Sequence, residues 1–222
     1  HYPYQPPKKH FEAVTNGTLD YELVTDIEPY IASPFTFLNE YFGDGIDKNS
    51  MDIIRAAYGG EVHSVDEQIN ALLQMLDDDG SLEETVVIIT SDHGEALGEV
   101  DLNGERGIGH LPYLNKNLWT VPLIIAHPDI KSNTVDNRVS LKSITNLLTG
   151  ELDTFIANRG RNYEEYFQED RIFFEMPANP YHEDSFKNHP HIPEWYAERE
   201  AQTHTVLGFD EDWRVTANSQ GD

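Results

Sequence analysis

The longest regular pattern in the chain is KNSMDIIRAAYGGEVHSVDEQINALLQMLDDDG, Lys48 to Gly80. Tyr58, Val62, Val65, Ile69, Leu72, Leu73 and Leu76 recur there at three- and four-residue steps, which predicts an amphipathic helix with one buried stripe. Ser50 is the expected N-cap, with Asp52 in the first turn. Gly59–Gly60 weakens the middle and marks close packing or a kink. Asp77, Asp78 and Asp79 stand at the C-terminal end, where the helix dipole favours cations.

After Gly80 the period changes. Thr85–Thr90 (TVVIIT) has an unbroken apolar centre, the pattern of a strand covered on both faces in a parallel sheet. A Gly-containing loop, Gly94 to Leu118, precedes a second strand over Val121–Pro128. NRVSLKSITNLLTGEL then predicts a helix ending near Gly150. Helix, strand, loop, strand, helix is an α/β layered order. Residues 1–50 lack a sustained period and read as a loop-rich cover with one short helix near Phe35–Phe42. From Glu151 the chain turns acidic and aromatic, with a short strand at Arg171–Glu175 and a hairpin in THTVLGFDEDWRVT. These assignments divide the chain into an α/β portion, 1–150, and a small α+β portion, 151–222.

Charge narrows the partners. Forty acidic residues face 15 basic ones, a net charge of -25. That leaves little to neutralise nucleic-acid phosphates or to meet an anionic membrane surface. The periodic apolar segments argue against an acidic disordered chain, and adaptation to high salt is the preferred reading. There is no cysteine, which excludes disulfides and thiolate metal sites. No apolar run approaches the ~20 residues that span a bilayer, so membrane insertion is not expected. The chain opens on His1 rather than Met, which leaves localisation open between cytoplasmic and extracellular, in a high-salt organism.

The apolar run TVVIIT ends in Ser-Asp-His-Gly-Glu, residues 91–95. Ligands of open α/β sheets bind beyond the carboxyl ends of strands, and Gly94 lets the backbone turn sharply there. Asp92 and His93 suit a hard or borderline divalent cation; the alternative is a turn-forming acid beside an exposed histidine. His110 follows Gly107 and Gly109 where a loop would fold back over the strand ends. His63 reads as a solvated or core residue of the helix, and His127 as part of a turn. His182, His189 and His191 lack a helical i, i+4 pair and read as a loop near the site mouth. Asp66 and Glu67 read as helix surface.

Five segments in order resemble the type I sulfatases of the alkaline phosphatase superfamily. They are HYPYQPP (1–7), YGGEVHSVDEQINALL (58–73), TVVIITSDHGEALGE (85–99), GHLPYLNKNLWTVPLII (109–125) and NRVSLKSITNLLTG (137–150). The resemblance implies an αβα sandwich of the alkaline phosphatase/sulfatase type, present in part, and an arylsulfatase-like hydrolase of a small-molecule or carbohydrate sulfate ester. It implies that Asp92 and His93 bind a divalent metal, Ca2+ first, with Mg2+ or Mn2+ as alternatives. It also implies that His1 and His110 contact the sulfate, one of them protonating the leaving oxygen, and that Glu95 binds substrate or orients His93. The family's nucleophile is a formylglycine made from the Cys of C-x-P-S-R. That motif and an Asp-Asp pair completing the metal site precede the H-x-P-Y loop in the family. Both are therefore expected upstream of His1, and this chain alone is expected to be inactive. Two kinds of alternative stand beside this. Phosphonate or phosphodiester hydrolysis, or phosphoglycerol transfer, uses similar strand-end motifs, and an inactive acidic binding domain would keep only the fold.

Salt adaptation predicts a melting temperature that rises with KCl concentration; a melt with maximal stability in low salt would overturn it.

Overall fold

The computed structural model describes residues 3–27, 46–100, 106–110, 116–135, 139–161, 167, 172–176, 205–209 and 215–219. After α1 (Lys8–Thr15) and α2 (Leu23–Asp26), the periodic segment forms one helix, α3, Lys48–Asp78. Its cap is Asp47, three residues before the Ser50 expected from the sequence. The Asp47 carboxylate accepts the Ser50 hydroxyl (2.6 Å) and the backbone N–H groups of Ser50 (3.0 Å) and Asn49 (2.8 Å). Both residues are good cap formers, but the carboxylate collects three donors. The Ser50 hydroxyl and N–H are the main cause holding the Asp47 carboxyl below its ordinary value. Asp52 consequently falls in the second turn, paired with Lys48 at 2.6 Å and Arg55 at 3.6 Å.

At the other end, Gly80 adopts a left-handed φ of 79° that stops the helix. The Asp79 carboxylate accepts the Ser81 N–H at 2.8 Å and starts the 3-10 turn Ser81–Glu84. The last acid of the Asp run thus serves the following turn.

Burial along α3 differs from the expected stripe. Ile53, Ile54, Ala57 and Gly60 are buried, whereas Val62, Val65 and Leu72 are 52%, 53% and 56% exposed. Periodicity identifies an apolar stripe but not which side of the helix its neighbours take. Here α1 and the segment before it pack along the side of Gly60, His63 and Glu67, and Val62 and Val65 lie off that side. Tyr4 and Phe11 are fully buried, with Tyr4 edge-on to Tyr58 at 5.5 Å. The Gln5 N–H donates to the Glu61 carboxylate at 2.7 Å. Buried His10 brings its Nδ1 to 2.8 Å from Nδ1 of His63, and Lys9 reaches Glu67 at 2.6 Å. His63 is therefore a partner of His10, and Glu67, on the helix surface as expected, also ties α3 to α1 through Lys9. At Gly60 a Cβ would lie 2.8 Å from Pro6 Cβ and 3.1 Å from the Phe11 nitrogen, so the glycine pair marks close packing.

The strands among the described residues form three small sheets. β1 (Val87–Thr90) pairs with β4 (Leu123–Ala126), β2 (Ala96–Val100) with β3 (Arg106–Gly109), and β5 (Ile172–Met176), β6 (Thr205–Phe209) and β7 (Val215–Ser219) lie in that order. The parallel pairing expected for TVVIIT is corrected: β1 and β4 are antiparallel, with Val87 opposite Ala126 and Thr90 opposite Leu123. Residues 91–122 leave and re-enter at one end of this pair, so β4 must run back along β1; a parallel partner needs a crossover to the far end. The expected C-terminal hairpin is found as β6–β7, and β5 adds to it, also antiparallel.

Between β3 and β4 lies the short helix α4, Lys116–Trp119. The last helical stretch begins as α5 (Lys142–Asn146), widens into a π turn at Leu147–Glu151 and continues as α6 (Leu152–Ala157). It runs through Gly150 and stops instead at Gly160, whose φ of 68° and N–H bond to the Phe155 carbonyl (3.0 Å) close the end. The helix expected near Phe35–Phe42 lies outside the described residues.

The described elements group into two compact units. One contains α1, α2, α3 to Leu72, β2, β3 and α4, around a core that includes Phe11, Ile54, Ala96 and Ile108. The other contains the end of α3, β1, β4, α5, α6 and β5–β7, with Leu147, Phe155 and Phe167 at its centre. No helix among the described residues is long and apolar enough to cross a membrane.

The two neighbouring glycines predict opposite outcomes. Gly60→Ala should cost roughly 1–3 kcal/mol through overpacking against Pro6 and Phe11. Gly59→Ala meets only Val14, at 3.8 Å, and should gain roughly 0.5–1 kcal/mol from helix propensity. Urea denaturation of both variants reads the two signs directly.

Candidate functional site

The chain leaves β1 at Thr90 and passes at once through Asp92, His93, Gly94 and Glu95 into β2. Asp92 is 88% exposed on its side chain, and its Oδ1 accepts the N–H of His93 at 3.0 Å. That backbone bond, then the charge of the His93 ring and a smaller contribution from His110, hold the Asp92 carboxyl below its ordinary value. It is a carboxylate at neutral pH.

Gly94 fixes where this segment lies. Its N–H donates to the Leu118 carbonyl of α4 at 2.7 Å, and an added Cβ would overlap the Asn117 carbonyl oxygen. The glycine is required for space; the left-handed glycines nearby are Gly98 and Gly109, not Gly94. Its carbonyl stands 2.8 Å from Nδ1 of His93. A carbonyl can only accept, so Nδ1 carries the proton and the lone pair of the neutral ring is on Nε2. That Nε2 lies 3.8 Å from Oδ1 of Asp92, a separation that one cation with bonds of about 2.0–2.4 Å can bridge.

The hairpin brings in the remaining groups. Ala96 pairs with Gly109 and Leu97 with Ile108, so one step outward from this register Glu95 faces His110. Glu95 is buried, and its Oε1 stands 2.9 Å from Nδ1 of His110. The His93 and His110 rings are 4.4 Å apart and tilted by 32°. Potential donor atoms of His93, Glu95 and His110 all lie within 4.8 Å of one another. α3 holds this hairpin from behind. Arg55 Nε donates to the Leu97 carbonyl at 3.1 Å, and Gly98, at φ 85°, leaves no room for a Cβ beside the Met51 methyl.

Four of the five residues expected at the site from the sequence, Asp92, His93, Glu95 and His110, therefore gather in one place. The fifth, His1, lies outside the described residues, as do His182, His189 and His191. His127 has the expected turn role, its Nδ1 accepting the Asp129 N–H at 3.2 Å. Tyr58 was not anticipated. Burial, and next the negative charge of Glu95, push its phenol above the ordinary value. Its hydroxyl was the available signal, a polar tip within an otherwise apolar stripe.

A family model described as Sulfatase matches residues 1–155. The chain belongs to the sulfatase family. Among curated proteins, the multifunctional alkaline phosphatase superfamily protein PehA of Trinickia caryophylli is 32% identical over 83 residues, 37% of this chain and 15% of PehA. Among solved structures, phosphonate monoester hydrolase SpPMH from Silicibacter pomeroyi aligns over 95% of this chain at a TM-score of 0.51 and 18% identity. The likeness to SpPMH shows the fold: this sulfatase-family chain is part of an α/β fold of the alkaline phosphatase type. It spans 44% of the SpPMH chain and 15% of PehA.

Because the Asn117 carbonyl is backbone and cannot swing aside, Gly94→Ala should destabilise the protein by on the order of 1–3 kcal/mol. It should also shift the His93 and His110 ring resonances together, observable in aromatic NMR spectra; unchanged stability and spectra would contradict the role given to this contact.

Proposed function

We propose that this chain carries part of the active site of a metal-dependent sulfuric ester hydrolase, with Asp92 and His93 as metal ligands and His110 at the substrate. The observation that supports it most is the convergence of the two histidines with acidic groups immediately after β1, in a chain that belongs to the sulfatase family. An anionic Asp92 oxygen and the lone pair on His93 Nε2 fit two positions around a divalent cation. Bound there, the cation would supply positive charge against the ester's anionic group.

The chain's own residues then divide the work. Asp92 and His93 would fix the ion, and the His110 ring, 4.4 Å from that of His93, is near enough to address an ester oxygen beside it. His110 would donate the proton that the leaving oxygen requires, with His1 as the second sulfate contact. Ca2+ remains the first choice of ion, with Mg2+ or Mn2+ as the alternatives beside an imidazole ligand, and each would draw further oxygen ligands to complete its coordination.

A second reading is hydrolysis of phosphonate esters. SpPMH is a phosphonate monoester hydrolase and PehA is multifunctional, and tetrahedral anionic groups of either element present similar oxygens.

Calorimetric titration of the chain with Mn2+, Mg2+ and Ca2+ tests the metal assignment. Asp92→Ala and His93→Ala should each weaken binding by on the order of 10-fold or more; no measurable binding by the wild-type chain, or wild-type affinity in either variant, would overturn it. With metal present, competition between inorganic sulfate and methylphosphonate, followed on the His110 resonances, separates the two ester classes.

A further inference from the structure

Among the described residues, Glu95 is the buried acid of the site, its side chain 4% exposed. A buried carboxylate aimed at a sulfate or phosphonate ester would meet like charge at short range, an unfavourable arrangement where water is excluded. Its geometry indicates a different task. Glu95 Oε1 lies 2.9 Å from Nδ1 of His110, and the pairing of Ala96 with Gly109 makes the two residues opposite neighbours at the open end of one hairpin.

We propose that Glu95 is a positioning residue for His110, acting on the imidazole rather than on substrate or metal. A carboxylate accepts but does not donate, so this contact assigns the Nδ1 proton to His110 and puts the lone pair of its neutral ring on Nε2. The nitrogen that exchanges a proton with the ester is then Nε2, and the carboxylate behind the ring fixes its orientation and stabilises the imidazolium when it forms. The ring of His93 is set the same way by a different acceptor, the Gly94 carbonyl. In their neutral forms both rings therefore carry the lone pair on Nε2, and His110 gives a proton from Nε2 only as the imidazolium. This extends the reading of His110 as proton donor, but its test needs no turnover, so a failed hydrolysis assay and a failed tautomer assignment are distinguishable.

The test is long-range 1H–15N correlation of the histidine rings in the metal-free chain, at a pH where they are neutral. The His110 signals are identified by their loss in His110→Asn. Wild type should show His110 as the Nδ1–H tautomer. Glu95→Gln, whose amide oxygen still accepts, should keep that form. Glu95→Leu should lose it in favour of Nε2–H, with the backbone amide spectrum reporting that the fold persists. A wild-type His110 in the Nε2–H form overturns the proposal, since the carboxyl would then be donating or absent from the bond. An unchanged tautomer in a folded Glu95→Leu variant overturns it as well. Should Glu95→Leu fail to fold, the wild-type and Glu95→Gln spectra decide the matter between them.

Discussion

The site depends on a contact between two stretches of main chain. At Gly94 the backbone of the post-β1 segment lies against that of α4, close enough for an N–H to Leu118 bond of 2.7 Å and too close for any side chain. Backbone cannot adopt another rotamer, so this contact fixes the segment more firmly than a side-chain packing would. Two consequences follow from its position. The Gly94 carbonyl is placed to hold the His93 ring, and the next residue, Glu95, is delivered buried at the mouth of the β2–β3 hairpin.

α3 provides the support on the other side. Its first three turns hold buried Ile53, Ile54 and Ala57, and from them Met51 and Arg55 reach the hairpin at Gly98 and Leu97. The same helix receives α1 at Gly60 and His63. Cluster and core are thus built from the same turns: Ala96 and Ile108 are fully buried core residues of the hairpin whose adjoining positions, Glu95 and His110, are the polar ones. The polar residues stand one position from the apolar anchor Ala96 on β2 and two positions from Ile108 at the end of β3.

Much of this was legible in the sequence because it depends on local pattern. The long helix, the two apolar strands, the C-terminal hairpin and the Asp92–His93 pair at a strand end each follow from periodicity or from residues adjacent in the chain. What was not legible depends on partners distant in sequence. The cap at Asp47 rather than Ser50 was decided by how many donors a carboxylate could collect. The exposure of Val62 and Val65 reflects which side of α3 meets α1, and the antiparallel β1–β4 pairing reflects the end at which residues 91–122 return. Glu95 lay between these cases. It was recognisable as a candidate, but its contact with His110 required the hairpin register, which the glycine-rich sequence from 98 to 109 leaves open.

That register separates the pair from the length of the connection it spans. Pairing is counted from the open end, with Ala96 against Gly109 and Leu97 against Ile108, while the slip to Val100 against Arg106 is taken up beyond it, around left-handed Gly98. Residues gained or lost toward the tip would change the reach of the hairpin without changing which residues face each other at its base. The carboxylate and the imidazole are thereby insulated from changes of length in the segment between them.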